Sequence, residues 1–122
     1  MQRNESQEDY LETILILSKK LPVVRGVDIA TELGFKKSSV SVAMKNLREK
    51  ELITVSDAGF ITFTKEGKKI ATDIYDRHET IARCLMALGV QKDVAYEDAC
   101  RVEHDLSSES FKAIKKYVLA HM

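Results

Sequence analysis

Two short helical runs joined by a tight turn and followed at once by a β-hairpin occupy residues 27–63, and few folds accept that order. Val27, Ile29, Ala30 and Leu33 form one apolar stripe at helical spacing, and Gly34 stands where a left-handed helix cap favours glycine. Phe35-Lys36-Lys37 makes a brief turn before Ser38-Ser39 opens the next run. That run carries Val40, Ala43, Met44, Leu47 and Leu52 inward and leaves Ser39, Ser41, Val42, Lys45 and Arg48 on other faces. Ile53-Thr54-Val55 and Phe60-Ile61-Thr62-Phe63 are β-branched and aromatic runs flanking Ser56-Asp57-Ala58-Gly59, a loop with good hairpin chemistry. A helix-turn-helix with a hairpin directly behind it is a winged helix.

The rest of the chain reads as helix. Tyr10, Leu11, Ile14, Leu15, Leu17 and Leu21 recur at three and four from a cap at Ser6, and Leu21-Pro22 ends that first helix because proline disfavours helical backbone in the residue before it. Thr64 caps a long fourth helix running to about Leu88 and stopped by Gly89, with Ile70, Ile74, His78, Ile81 and Leu85 along one stripe. A fifth helix is expected over Asp93 to Leu106. Ser107 or Ser108 caps a sixth with Phe111, Ile114 and Val118 on one side. The expected fold is therefore mainly α: an N-terminal winged helix-turn-helix with a two-stranded wing over residues 1–70, then a helical region over 71–122.

Composition narrows the function. A chain of 122 residues that is 44% hydrophobic can bury a core, and 19 basic residues against 19 acidic ones give no global field to advertise a partner. No stretch approaches the ~20 apolar residues of a spanning helix, and the polar start MQRNESQEDY lacks a signal-peptide core. A cytoplasmic protein without membrane association is expected. Cys84 and Cys100 are then free thiols, with Cys84 read as core packing.

Charge is local instead. Between Lys36 and Lys50 five basic residues face the single acid Glu49. A helix that opens on serines beside Lys36 and Lys37 suits the DNA backbone. Ser38, Ser39, Ser41 and Val42 are expected in the major groove of a double-stranded operator, with Lys36, Lys37 and Lys45 toward phosphates. Val42 suits a thymine methyl group.

A second concentration of chemistry lies in Ala99 to Leu106, ACRVEHDL. Cys100, Glu103 and His104 stand at i, i+3 and i+4, so a helix would put a thiol, a carboxylate and an imidazole on one face. Asp9 and Glu12 form an i, i+3 carboxylate pair on the first helix, where negative charge also suits the helix dipole. His78 sits within an apolar stripe, where histidine is more often a core residue than a ligand.

These stretches resemble the diphtheria toxin repressor family of metal-dependent transcription regulators, which includes the manganese transport regulators. The resemblance covers essentially the whole chain. It is carried by EDYLETI, DIATELGFKKSSVSVAMKNLREKELI, TKEGKKIA, YDRHE and, most specifically, DACRVEHDLS. It implies that residues 1–70 bind DNA and that residues 71–122 bind metal and dimerise, in the manner of the family's short members. Asp9 and Glu12 match the manganese branch as ligands, and His78, Glu103 and His104 match more widely. Cys100 departs from the manganese branch, which has glutamate there; the iron branch has cysteine there but methionine where this chain has Asp9. The iron branch's ancillary site would need ligands at positions that here hold Ala82 and Tyr96, so His78 is expected to join one compact cluster with Asp9, Glu12, Cys100, Glu103 and His104.

The implied cofactor is a divalent transition metal, Mn²⁺ or Fe²⁺, with Co²⁺ or Zn²⁺ able to substitute in vitro; carboxylates and imidazoles suit the first pair and a thiolate favours softer ions. The implied assembly is a homodimer on operator DNA, repressing genes for metal-ion uptake, with the apolar faces of helices five and six as interface. No enzyme is expected. A di-iron bundle needs paired Glu-x-x-His motifs and none is present, nor is there a nucleophile constellation, a phosphate loop or a small-molecule substrate site. The main rival is a winged-helix regulator that senses a small molecule or thiol oxidation without metal, and a protein-binding adaptor is the third class.

Overall fold

The computed structural model describes residues 5–121; residues 1–4 at the head of the polar N-terminal stretch, and residue 122, lie outside them. Its elements run α1 (Glu5–Lys20), α2 (Gly26–Leu33), α3 (Lys37–Glu49), β1 (Ile53–Val55), β2 (Ile61–Phe63), α4 (Lys65–Ala87), α5 (Lys92–Val102) and α6 (Ser108–His121). The chain divides into two compact units after Thr72.

In the first unit α1, α2 and α3 pack on one another and α3 packs on β1. Leu11 and Ile14 of α1, Ile29 and Ala30 of α2, Val40, Met44 and Leu47 of α3, and Ile53 and Ile61 of the wing are buried. The expected winged helix is what forms. Gly34 closes α2 at φ 69° with its N–H on the Ala30 carbonyl, a backbone state that costs a residue with a Cβ. The wing pairs Ile53 with Phe63, Thr54 with Thr62 and Val55 with Ile61. Its turn is held by the Gly59 N–H on Ser56 O and the Phe60 N–H on the Ser56 hydroxyl. One further bond, Ile61 N–H to Val24 O at 2.8 Å, attaches the segment before α2 to the wing.

Several local expectations shift. α1 is already helical at Glu5, so Ser6 lies inside the helix and does not cap it. α3 begins at Lys37, with Lys36 as its cap residue, one residue before the serines. Phe60 precedes β2. Val27, expected in the apolar stripe, is exposed, because α2 has only eight residues and Ile29 and Ala30 suffice to seat it.

The first turns of α4 belong to the first unit. Thr64 caps the helix by accepting the Gly67 N–H, while its own hydroxyl donates to Glu51 O. In the second unit Ile81, Ala82 and Ala99 form a buried cluster with Leu85, Tyr96 and Leu106 against it, and Phe111 and Val118 of α6 are also buried. Cys84 is a half-buried free thiol. The main correction concerns α5, which stops at Val102 and does not continue to Leu106. Residues 103–105 form a turn, closed by Asp105 N–H to Val102 O, and α6 starts at Ser108 with the Ser107 hydroxyl accepting the Ser110 N–H.

Candidate metal centre and nucleic-acid interface

The candidate ligands of the ACRVEHDL stretch differ in burial. Cys100 is exposed on the last turn of α5, whereas Glu103 is fully buried and His104 is only 5% exposed. Glu103 caps α5 with helical backbone and its N–H on Ala99 O, and its side chain and that of His104 are both buried.

His78 comes from α4 to meet them. Its Nδ1 is hydrogen-bonded to Glu103 Oε2 at 3.0 Å, and His104 Nε2 lies 3.4 Å from Glu103 Oε1. Ligand atoms of His78, Cys100 and Glu103 all lie within 4.8 Å of one another. A carboxylate taken wholly out of water costs several kcal/mol unless a cation or strong donors face it. Here two imidazoles and a thiol surround it, all of them ligand types for divalent transition metals once deprotonated. The residues therefore fit a metal centre in which Glu103 would supply negative charge and His78, His104 and Cys100 the softer donors. Asp9 and Glu12 lie on α1, in the first unit, Asp9 half-buried and Glu12 buried.

Neither position of an ancillary site offers a ready ligand. Ala82 is fully buried in the apolar cluster. The Tyr96 hydroxyl donates to Glu79 Oε2 at 2.9 Å, and its ring leans on His78 with centroids 5.4 Å apart. The hydrogen bond to Glu79, helped by burial, raises the phenol above its ordinary range and keeps it protonated.

Sequence reasoning overlooked Arg77. It is 3% exposed and sends Nη1 to two main-chain carbonyls of the ligand-bearing turn, Glu103 O at 3.1 Å and Leu106 O at 2.7 Å. Its position beside His78 in YDRHE was the only signal available.

The second group of residues lies on α3. Val40, Met44 and Leu47 face the core, and Lys36, Lys37, Ser38, Ser39, Ser41, Val42 and Lys45 are all exposed, Val42 to 60%. An isolated valine that exposed on the outer face of this helix gains nothing from the fold. Lys45 and Arg48, one turn apart, line a crevice of about 270 Å³ with Ser41, Val55 and Gly59, between α3 and the wing. Arg48, left on an unassigned face by the sequence, thus lines the same crevice as Lys45. Among the described residues no helix is long and apolar enough to cross a membrane.

Known proteins match both halves of the chain. The family model of the iron dependent repressor N-terminal DNA binding domain matches residues 4–59, and that of the iron dependent repressor metal binding and dimerisation domain matches residues 64–120. The transcriptional regulator MntR of Escherichia coli O157:H7 is 32% identical over 119 residues, which cover 98% of this chain and 77% of that protein. The HTH-type transcriptional regulator MntR of Bacillus subtilis (strain 168) is 33% identical over 109 residues, 89% of this chain and 77% of the relative. Among solved structures the manganese regulator SloR superposes with a TM-score of 0.81 at 28% identity, covering 98% of this chain but 55% of its own, so the chain spans about half the length of that protein.

Proposed function

The chain belongs to the iron dependent repressor family of metal-dependent, DNA-binding transcription regulators, and from that membership we propose a specific set of ligands, contacts and targets. It is a regulator and not an enzyme, with a divalent metal as cofactor and with DNA and a second copy of itself as partners. We assign His78, Cys100, Glu103 and His104 as ligands from the second unit and Asp9 and Glu12 as ligands from α1. The observation that carries the assignment is the convergence of His78 and Cys100 on the fully buried Glu103 carboxylate. Asp9 and Glu12 rest on their spacing and on the resemblance to the manganese branch.

The physiological ion is Mn²⁺ or Fe²⁺, the relatives named MntR and the manganese regulator SloR favouring the first and the Cys100 thiol the second. Residues 1–70 read the operator and residues 71–122 bind metal and dimerise, with exposed Val94, Val102, Tyr117 and Leu119 supplying apolar surface to the interface. The metal-loaded homodimer represses genes of metal-ion uptake in the cytoplasm. Metal shifts the population toward the operator-competent form only through its differential affinity for the two forms. The test is operator binding by the purified protein with Mn²⁺, Fe²⁺, Zn²⁺ or chelator in parallel. Binding of equal strength after chelation would overturn the metal-dependent reading in favour of a small-molecule or thiol sensor.

On the DNA side, Ser38, Ser39, Ser41 and Val42 face bases, and Lys36, Lys37 and Lys45 face phosphates. The crevice beside the wing adds Arg48 to the phosphate set. Arg48→Ala and Lys45→Ala are each expected to weaken binding to operator and unrelated duplex alike and to reduce the salt slope by about one unit. A loss confined to one operator sequence, measured across a salt series, would contradict the phosphate role. Val42→Gln, in contrast, should alter sequence preference with little change in slope.

A further inference from the structure

Arg77 and His78 are consecutive on α4, and both reach the same residue. His78 bonds the Glu103 carboxylate while Arg77 bonds the Glu103 main-chain carbonyl. The same guanidinium nitrogen also bonds Leu106 O, so the two hydrogens of Nη1 clasp both ends of the turn that links α5 to α6. Arg77 Nε lies 3.4 Å from Asp73 Oδ2, one turn back on α4, and the guanidinium carbon stands 5.1 Å from the centre of the Phe111 ring on α6. The group is thus fixed from its own helix, from the turn and from α6 while being almost wholly out of water.

We propose that Arg77 is a positioning residue of the metal centre, setting through the main chain where the Glu103 carboxylate stands relative to His78. The inference rests on the ligand assignment above and adds how the ligands are aimed. Carbonyls at a helix C-terminus lack intrahelical partners and must find donors, and a cation is favoured at that end. Arg77 meets both needs at the end of α5. Because its donors are set in a planar, rigid guanidinium, it also fixes the direction of the turn, which a freely rotating ammonium group would not. Glu103 is therefore tied at its backbone by one residue and at its side chain by the next. Outer partners of this kind, which orient a ligand without touching the ion, typically change metal affinity by roughly 10–100-fold when removed.

The experiment uses the full chain with Co²⁺ alone as probe, reading affinity and the visible absorption spectrum, which reports ligand number and geometry. Arg77→Lys keeps the charge but loses the fork. It is expected to remain folded by circular dichroism, to bind Co²⁺ about 10-fold or more weakly, and to show an altered ligand-field spectrum at saturation. Asp76→Asn serves as the control for general damage, since it breaks the 2.6 Å ion pair from Lys115 that joins α4 to α6 without contacting the turn. It should leave both Co²⁺ readouts unchanged. Phe111→Leu, which removes the ring beneath the guanidinium but keeps apolar volume, should move both readouts in the direction of Arg77→Lys and carries the test if that variant unfolds. A folded variant with wild-type affinity and spectrum would overturn the proposal, and so would an equal loss in Asp76→Asn. Failure of metal-dependent operator binding in the wild type would instead remove the function, whatever Arg77 does.

Discussion

Glu103→Gln is expected to abolish metal-stimulated operator binding. The substitution keeps the shape of the side chain and removes its charge from a fully buried position where His78 and His104 both face it. Losing one member of a buried charged constellation costs about 3 kcal/mol or more, which in affinity is roughly two decades. A ligand that binds only the folded state at 100 times its dissociation constant stabilises that state by about 2.7 kcal/mol. Metal should therefore raise the thermal midpoint of the wild-type protein by several degrees and leave that of Glu103→Gln nearly unmoved. His104→Ala should behave likewise while remaining a folded dimer. Cys100→Glu should retain activation by Mn²⁺ and lose much of that by softer ions, since it exchanges a thiolate for a hard oxygen donor. An undiminished metal response in both Glu103→Gln and His104→Ala would remove the proposed centre.

The second large effect is expected at a residue that is not a proposed ligand. Gly67→Ala, inside a helix, would ordinarily gain up to about 1 kcal/mol by reducing the freedom of the unfolded chain. Here the sign should reverse. A Cβ at Gly67 would overlap the Leu52 carbonyl oxygen and stand 2.7 Å from its carbon, and both belong to backbone that cannot swing aside. The same carbonyl accepts the Thr64 N–H at 3.1 Å, so moving it also disturbs the junction between wing and α4. A loss of about 3 kcal/mol is expected, on the scale of an overpacked core, with a fall in the thermal midpoint on the order of 10 °C. Gly26→Ala is the comparison, because its Cβ would meet only Val40 Cγ1 at 3.9 Å. It should be neutral or mildly stabilising in the same melt, and equal behaviour of the two variants would refute the steric argument.

What the sequence determined by itself was whatever depends on neighbours a few residues apart. Apolar spacing, the glycine after Leu33, the proline after Leu21 and the loop Ser56-Asp57-Ala58-Gly59 specify helices, turn and hairpin through local backbone preferences, and those elements in that order admit a winged helix. The proposed ligands could also be named from the sequence, because ligand chemistry is a property of residue type and DACRVEHDLS is a specific string. The end of α5 was not legible. Periodicity continues through Leu106, but the helix stops at Val102, and carbonyls of the turn find donors on Arg77, which is 26 residues earlier than Glu103 in one bond and 29 earlier than Leu106 in the other. Burial of Glu103, exposure of Cys100 and their meeting with His78 of α4 likewise depend on packing between helices distant in the chain. Gly67 is a parallel case, ordinary as a letter in TKEGKK and indispensable only once Leu52 lies over it. In both places a group distant in the chain supplies the hydrogen bond or the steric limit, so tertiary structure made the decision.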